Sequence, residues 1–128
     1  MRELYRTMPN YVAHSSTACV LNAWDKKGKL CAFFIVELGA RNFSTYVLGC
    51  HSKRDYIPHA SDLLFFEMIK LSKEHGKETI NLGLGVNEGI RRFKKKWGGI
   101  PFLRYEFCEY EAGYTRTMDL IKSLEGKL

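Results

Sequence analysis

The residues best placed for chemistry lie in one segment, residues 79–99. It reads as a short strand, a turn that contains Gly83 and Gly85, and a basic helix that begins near Asn87 and is stopped by two glycines. A helix N-terminus offers unpaired N–H groups and about half a positive charge, and glycines allow a ligand to approach the backbone closely. The segment therefore predicts a site for a carbonyl, a carboxylate or a phosphate.

Within the predicted helix, Lys94 has a position with a specific chemical meaning. It follows Asn87 by seven residues, about two helical turns, so the two lie on one face. Asn87 is either the N-cap of the helix or a side chain that turns outward to bind a ligand. Ile90, Phe93 and Trp97 form a neighbouring apolar stripe that should face the sheet. Lys94 is therefore expected beside buried surface.

The other cations of this helix have two interpretations. Arg91, Arg92, Lys95 and Lys96 either form an exposed face, with Arg92 and Lys96 solvated, or contribute to anion binding. The whole chain carries 20 Lys+Arg against 14 Asp+Glu, a net charge of +6. This surplus favours an anionic partner such as nucleic acid, a phosphorylated cofactor or an acidic lipid face, although a solvated surface explains it equally well.

A second candidate site precedes the previous helix. Lys53, Arg54, Tyr56, His59 and Ser61 lie where a strand leads into a helix, and they can form an anion pocket there. The alternative is an ordinary polar loop with Ser61 as the N-cap. The sequence does not decide between these interpretations.

Several other kinds of site find little support. Glu37 is either a partly buried base or simply the residue at a strand end. The four cysteines are widely spaced without a CxxC pair, and His51 and His59 lack helical ligand spacing, so no metal is expected. Free cysteines predict a reducing cytoplasm. No apolar run approaches the ~18 residues that span a bilayer, and no signal peptide is expected.

The elements that position these residues follow from periodicity. Residues 17–24, 29–38 and 43–50 predict an antiparallel meander whose second strand, apolar almost throughout, is central. A helix over residues 61–75, a strand over 79–83, a helix over 87–97, a strand over 101–110 and a helix over 115–124 follow. Residues 1–16 form an arm or a short helix with a break at Pro9. The prediction is one α+β domain over residues 17–128, in the order β-β-β-α-β-α-β-α.

This order resembles the GNAT acetyltransferase fold from its second strand onward. Residues 63–76 (a helix ending in Gly), residues 80–83 (Ile-Asn-Leu-Gly) and residues 93–98 (Phe-Lys-Lys-Lys-Trp-Gly) are more similar still to one branch. That branch contains the FemAB-type peptidoglycan aminoacyltransferases and the related CelD-like acetyltransferases. The resemblance covers roughly residues 17–110, and its motifs are short but agree in order and spacing.

The resemblance implies a role for Lys94. In ordinary members of the superfamily an Asn opens this helix, and a Tyr seven residues later often protonates the departing coenzyme A thiolate. Here Asn87 matches the Asn, and Lys94 stands at the Tyr position. In the FemAB branch the Lys of the Phe-Lys pair is implicated in stabilising the reaction centre. The resemblance thus implies transfer of an acyl or aminoacyl group to an amine, with acetyl-CoA or another acyl-CoA as donor and Lys94 as proton donor or charge stabiliser.

Two departures from the family pattern shape the remaining expectations. Residues 53–61 lack the glycines of the usual pyrophosphate loop. About 16 residues precede the first strand, so we expect the N-terminal part of the fold to be lacking. The chain is then a fragment of a longer protein, a degenerate member, or one that completes its site as a homodimer through an exposed sheet edge. The alternatives are a non-catalytic module that binds tRNA or another polyanion, and a vestigial acyltransferase that serves as a structural dimer.

Overall fold

The computed structural model describes residues 2–102, which fold as a sheet with helices on both of its faces. The elements are α1 (Arg2–His14), β1 (Ala18–Trp24), β2 (Leu30–Glu37), β3 (Phe43–His51), α2 (Ala60–Glu74), β4 (Thr79–Asn81) and α3 (Glu88–Lys96). The predicted order is confirmed as far as α3. The strand predicted over 101–110 and the helix predicted over 115–124 lie outside the described residues, except at 101–102.

The sheet has the order β1-β2-β3-β4, with the first three strands antiparallel and β4 parallel to β3. As predicted, β2 is covered on both faces. Phe34 and Val36 point towards α2 and are almost completely buried against it, in a core that includes Phe65 and Met68. The other face of β2, which includes Ile35, lies beneath α1. Apolar residues at successive positions are therefore needed, because both faces of this strand are buried.

The first helix corrects one expectation. Pro9 was predicted to break the chain, but α1 is continuous through it. Proline removes one main-chain hydrogen bond, and that loss can be offset when one face of the helix buries apolar side chains. Met8 and Val12 lie on the inner face of α1, where they help to line a groove of about 370 Å³ against the sheet. Tertiary packing thus extends a helix that local sequence alone would end.

The start of α2 corrects another expectation. Ser61 was one possible N-cap, but the helix begins at Ala60, and His59, two residues before Ser61, occupies the cap position with φ 66° and no side-chain cap hydrogen bond. Asp62, in the first turn, instead lies 3.1 Å from His59 Nδ1. The C-terminus agrees with prediction, because Gly76 follows the last turn with φ +67°, a conformation that glycine adopts without strain.

Candidate functional site

The candidate site is an opening between β3 and β4. The two strands are paired only where Phe43–Thr45 lies beside Thr79–Asn81, and among the described residues the rest of β3 has no strand on that side. β3 also carries one extra residue, Val47, since Ile35 pairs with Leu48 whereas Val36 pairs with Tyr46. Because β3 and β4 are parallel, the loops that lead to α2 and α3 both leave from the carboxyl ends of these strands, which lie at one edge of the sheet. Sequence-predicted residues from both loops are therefore brought to this edge.

The turn after β4 begins where Asn81 stops the strand. The side-chain oxygen of Asn81 accepts a hydrogen bond from the Gly83 N–H at 2.9 Å, and Gly83 has φ +64°. This local bond ends β4 two residues before the predicted position. Asn87 is the N-cap of α3, with its Oδ1 accepting from the Ile90 N–H at 2.9 Å. Of the two roles left open for Asn87, the structure shows the capping role.

Gly85 has a packing role within the protein, and its part in a ligand cradle stays a prediction. A methyl group added to Gly85 would stand 2.6 Å from Arg91 Cγ. The stem of Arg91 therefore occupies the space beside this glycine, while its guanidinium binds Glu88 at 2.9 Å. The absence of a side chain at this position allows α3 to pack closely against its own entry loop.

Lys94 closes the same turn from the other side. Its ammonium donates hydrogen bonds to the main-chain oxygens of Leu82 and Leu84, the latter at 2.6 Å, and lies 5.9 Å from the centre of the Tyr46 ring. An ammonium has three N–H groups, so these two acceptors leave one N–H that has no hydrogen-bond partner among residues 2–102. Burial lowers the pKa of Lys94, which makes its proton easier to release. Its expected position beside buried surface is confirmed, because Phe93 and Trp97 pack against the core on the same helix.

The rest of the basic run is divided among different partners. Lys96 was expected to be solvated, and its side chain is 57% exposed, yet its ammonium binds Asp62 at 2.8 Å. Arg92 and Lys95 are exposed and have no hydrogen-bond or ion-pair partner in residues 2–102. Three of the five cations, including Arg91, are therefore committed to contacts within the protein.

The residues of the second predicted site all lie in the loop between β3 and α2 or in the first turn of α2. Lys53 and Arg54 are exposed and have no partner within the described part of the chain. The Tyr56 ring is 60% exposed and stands edge-on to His51, with ring centres 5.6 Å apart. Ser61 is half-buried in α2. These side chains lie close together in sequence, in the loop and the first turn of α2, but no contact joins them to Lys94.

Asp62 is a residue that sequence reasoning missed. Its Oδ1 accepts from Lys96 Nζ at 2.8 Å and from Trp97 Nε1 at 3.0 Å, so it ties the C-terminal end of α3 to the start of α2. Hydrogen bonds from Lys96 and His59 are the main causes that lower the pKa of Asp62 to about 2. The sequence shows only that Asp62 is an acidic residue in a first helical turn, and this position does not indicate which distant residue it contacts.

Tyr46 and Gly49 were also missed by the sequence analysis. The Tyr46 side chain lies directly over Gly49, where an added methyl would overlap the phenol oxygen and stand 2.7 Å from the Phe34 ring. Phe34 and Tyr46 meet edge to face with ring centres 4.9 Å apart. An isolated glycine within a strand often marks a bulge or a close approach, and this signal was present in the sequence.

Glu37 occupies a strand end, away from the opening. Hydrogen bonds from the Thr17 and Tyr11 hydroxyls, together with the Gly39 and Leu38 N–H groups, lower the pKa of Glu37 to about 2. So weak a base takes few protons near neutral pH. The carboxylate instead fastens α1 to the sheet, because Tyr11 belongs to that helix.

Residues 2–102 contain no group of three or more His, Cys, Asp or Glu side chains placed to hold a metal ion. None of the helices formed by these residues is long and apolar enough to cross a membrane. Cys19, Cys31 and Cys50 are free thiols.

No family model matches the sequence, and none of the curated protein sequences matches it. Several solved structures are similar to the structure of this chain. A ribosomal-protein-alanine N-acetyltransferase from Brucella melitensis biovar Abortus 2308 is similar with a TM-score of 0.66 and 12% identity, over 80% of this chain and 78% of that one. An aminoglycoside 6'-N-acetyltransferase, AAC(6')-IG from Acinetobacter haemolyticus, is similar with a TM-score of 0.69 and 7% identity, over 88% of this chain and 83% of that one. The aminoglycoside N-acetyltransferase AAC(6')-Iy, in complex with CoA, is similar with a TM-score of 0.67 and 10% identity, over 87% of this chain and 90% of that one.

These likenesses, at such low identity, are likenesses of fold. The described chain has the GNAT-like fold: a mixed α/β structure with a mostly antiparallel sheet. The fold prediction is thereby confirmed, and the order of strands and helices was the feature that carried it.

Proposed function

We propose that this protein is an N-acyltransferase, which moves an acyl or aminoacyl group from an activated donor onto an amine. The observation that supports this most directly is the opening between β3 and β4, where Lys94 stands beside Tyr46 with one N–H that has no partner in the described part of the chain. Proteins of the same fold include acetyltransferases, one of them in complex with CoA. A fold shared at low identity does not name a reaction, so the proposal depends on the site itself.

An acyl-CoA would supply an acyl group already activated as a thioester, and the residues at the opening fit its reacting end. The free N–H of Lys94 suits a carbonyl oxygen or a leaving sulfur. The phosphates of the donor would not bind at the N-terminus of α2 as they do in a glycine loop. The ionised carboxylate of Asp62 lies in the first turn of that helix and disfavours a second anion there. Lys53 and Arg54, exposed and without partners among residues 2–102, would contact the phosphates, with Tyr56 and Ser61 beside them.

In the proposed transfer, the amine nitrogen forms a bond to the carbonyl carbon, and the bond from that carbon to sulfur breaks. Lys94 stabilises negative charge as it develops and gives its proton to the departing sulfur. The proton that the amine loses goes to water, and Lys94 takes a proton back from water. The products are an amide and a thiol, so atoms and charge balance. The lowered pKa of Lys94 favours the forward proton transfer.

Replacing Lys94 with methionine tests this role, because methionine keeps an unbranched stem and removes the ammonium. We expect thiol release from acetyl-CoA, measured against a panel of amines, to fall about a hundredfold. Lys95→Met is the matched control, since Lys95 is exposed and has no partner in the described chain. Circular dichroism and urea unfolding monitor folding, because Lys94 also binds the oxygens of Leu82 and Leu84. Equal rates for the two variants, both folded, would refute the catalytic assignment.

The alternatives lead to different measurements. A tRNA- or polyanion-binding module would rely on Arg92 and Lys95 with the loop cations, since Arg91 and Lys96 bind Glu88 and Asp62. Such binding should weaken steeply with salt, whereas acetyl-CoA turnover should not. A homodimer through a sheet edge stays a prediction, which analytical ultracentrifugation can test. The FemAB-like branch, the lacking N-terminal part, the single domain over residues 17–128 and the cytoplasmic location also stay predictions.

A further inference from the structure

Tyr46 lies at the start of the opening, because it is the first residue of β3 beyond the last pair with β4, Thr45 with Asn81. Its ring is held edge-on by Phe34 and lies over Gly49, while the Lys94 ammonium stands 5.9 Å from the ring centre. On the other side, an added methyl at Gly83 would be 3.9 Å from the main-chain oxygen of Tyr46, so the turn after β4 passes close by. Tyr46 therefore lies in β3 beside the turn that follows β4, and the Lys94 side chain approaches it from α3.

The Tyr46 hydroxyl has no hydrogen-bond partner among the described residues, although its side chain is half-buried. Most polar groups in such positions are paired, with protein or with water. Burial is the main cause that raises the pKa of Tyr46 to about 12, so the hydroxyl keeps its proton at neutral pH. A protonated phenol donates a hydrogen bond, and the group it lacks is an acceptor.

Gly49 determines where this hydroxyl lies. Because the glycine has no side chain, the phenol can cross the strand instead of pointing away from it, and the extra residue at Val47 sets the direction in which Tyr46 leaves the strand. The Phe34 contact further restricts the ring. The donor is thus held by strands of the sheet and not by a mobile loop, a property that a binding group for a reacting atom requires.

We propose that the Tyr46 hydroxyl binds the carbonyl oxygen of the transferred acyl group and acts with the free N–H of Lys94 as a two-donor site. This inference rests on the proposed acyltransferase function. Two donors aimed at one carbonyl oxygen stabilise the negative charge that gathers there as the amine attacks. CoA itself has no acyl carbonyl, so the Tyr46 hydroxyl should distinguish acetyl-CoA from CoA.

The test compares Tyr46→Phe with wild type by calorimetric titration with acetyl-CoA and with CoA, and by steady-state kinetics. Phenylalanine keeps the ring and its contact with Phe34 and removes only the hydroxyl. We expect acetyl-CoA affinity to fall about tenfold with CoA affinity unchanged, the fold-change that loss of one hydrogen bond of ~1.4 kcal/mol gives. The kcat should fall between about tenfold and a hundredfold. Tyr11→Phe, which removes a hydroxyl that bonds Glu37 away from the opening, is the matched control and should change none of these quantities.

The results separate this inference from the function on which it rests. If wild type binds acetyl-CoA and transfers its acyl group, but Tyr46→Phe matches it in both affinities and in kcat, the Tyr46 assignment is overturned and the proposed function stands. An equal loss of affinity for acetyl-CoA and CoA also overturns it, since the hydroxyl would then act through structure. If wild type neither binds acetyl-CoA nor releases thiol, the proposed function fails, and the Tyr46 inference fails with it.

Discussion

Replacing Asp62 with alanine should loosen the docking of α3 on α2. The carboxylate accepts from Trp97 Nε1 at 3.0 Å and from Lys96 Nζ at 2.8 Å. The partly buried indole bond should contribute about 1.5 kcal/mol to the free energy of unfolding. The largely exposed lysine pair should add only about 0.5 kcal/mol. The expected total loss is about 2 kcal/mol, equivalent to a melting temperature lower by roughly 8 °C for a chain of this size.

Urea unfolding followed by tryptophan fluorescence measures this loss. Asp62→Asn is the informative second variant, because its amide oxygen still accepts from the indole and it should lose less than half as much as Asp62→Ala. Asp55→Ala is the control: Asp55 binds Lys29 at 2.6 Å but joins no helices, so its midpoint should hardly move. The reasoning is refuted if Asp62→Ala and Asp55→Ala unfold at the same urea concentration.

The same carboxylate makes stability depend on pH in acid. Hydrogen bonds from Lys96 and His59 lower the pKa of Asp62 to about 2, against 3.8 for an unperturbed aspartate. A group whose pKa is lowered by folding stabilises the protein above the unfolded pKa, and that stabilisation is lost as the pH falls towards the folded value. Between about pH 4 and 2, wild type should therefore lose stability more steeply than Asp62→Asn, which has no carboxylate to protonate.

Three further predictions concern the same framework. Glu37→Gln should flatten the pH dependence of the free energy of unfolding between about pH 4.5 and 2, because folding lowers the pKa of Glu37 to about 2; urea titrations across that range measure the slope. Gly49→Ala should cost about 1–3 kcal/mol because the methyl meets the Tyr46 hydroxyl, and an unchanged urea midpoint would contradict this. Ser72→Ala should lower the free energy of unfolding more than Ser44→Ala. Replacing Ser72 leaves the buried Ser44 hydroxyl without its partner at 2.6 Å, whereas replacing Ser44 leaves Ser72 still bonded to a main-chain oxygen. Calorimetric melting compares the two variants.

Local features of the fold were predictable because their causes lie within a few residues of sequence. Asp25 accepts from the N–H groups of Lys27 and Lys29, both at 2.8 Å, and Gly28 has φ +74°, so the first hairpin turn follows from its own residues. Asn87 caps α3 through a residue three positions away. Where a distant contact decides, prediction was wrong, as at Pro9, which lies inside a helix packed on the sheet.

The candidate site was predictable in part. Its position at the edge shared by two loops follows from the order of elements, and Lys94 was distinguished by its spacing from Asn87. Its two main-chain acceptors were not predictable, because Leu82 and Leu84 reach it through a turn whose path depends on β4 pairing with β3. Glycine within β3 was visible in the sequence, but the side chain that lies over it was not.

By itself, the sequence determined the types and the order of the elements from β1 to α3, and it distinguished Lys94 as a candidate proton donor. Periodicity and capping are local, so a linear chain records them. Tertiary structure alone decided which of those residues have free hydrogen-bonding groups. Lys96 and Asp62 are separated by 34 residues and neutralise each other, whereas Tyr46 and Lys94 meet across an opening between strands. Long-range packing fixes such distances, and they in turn fix which charges and donors remain for a ligand.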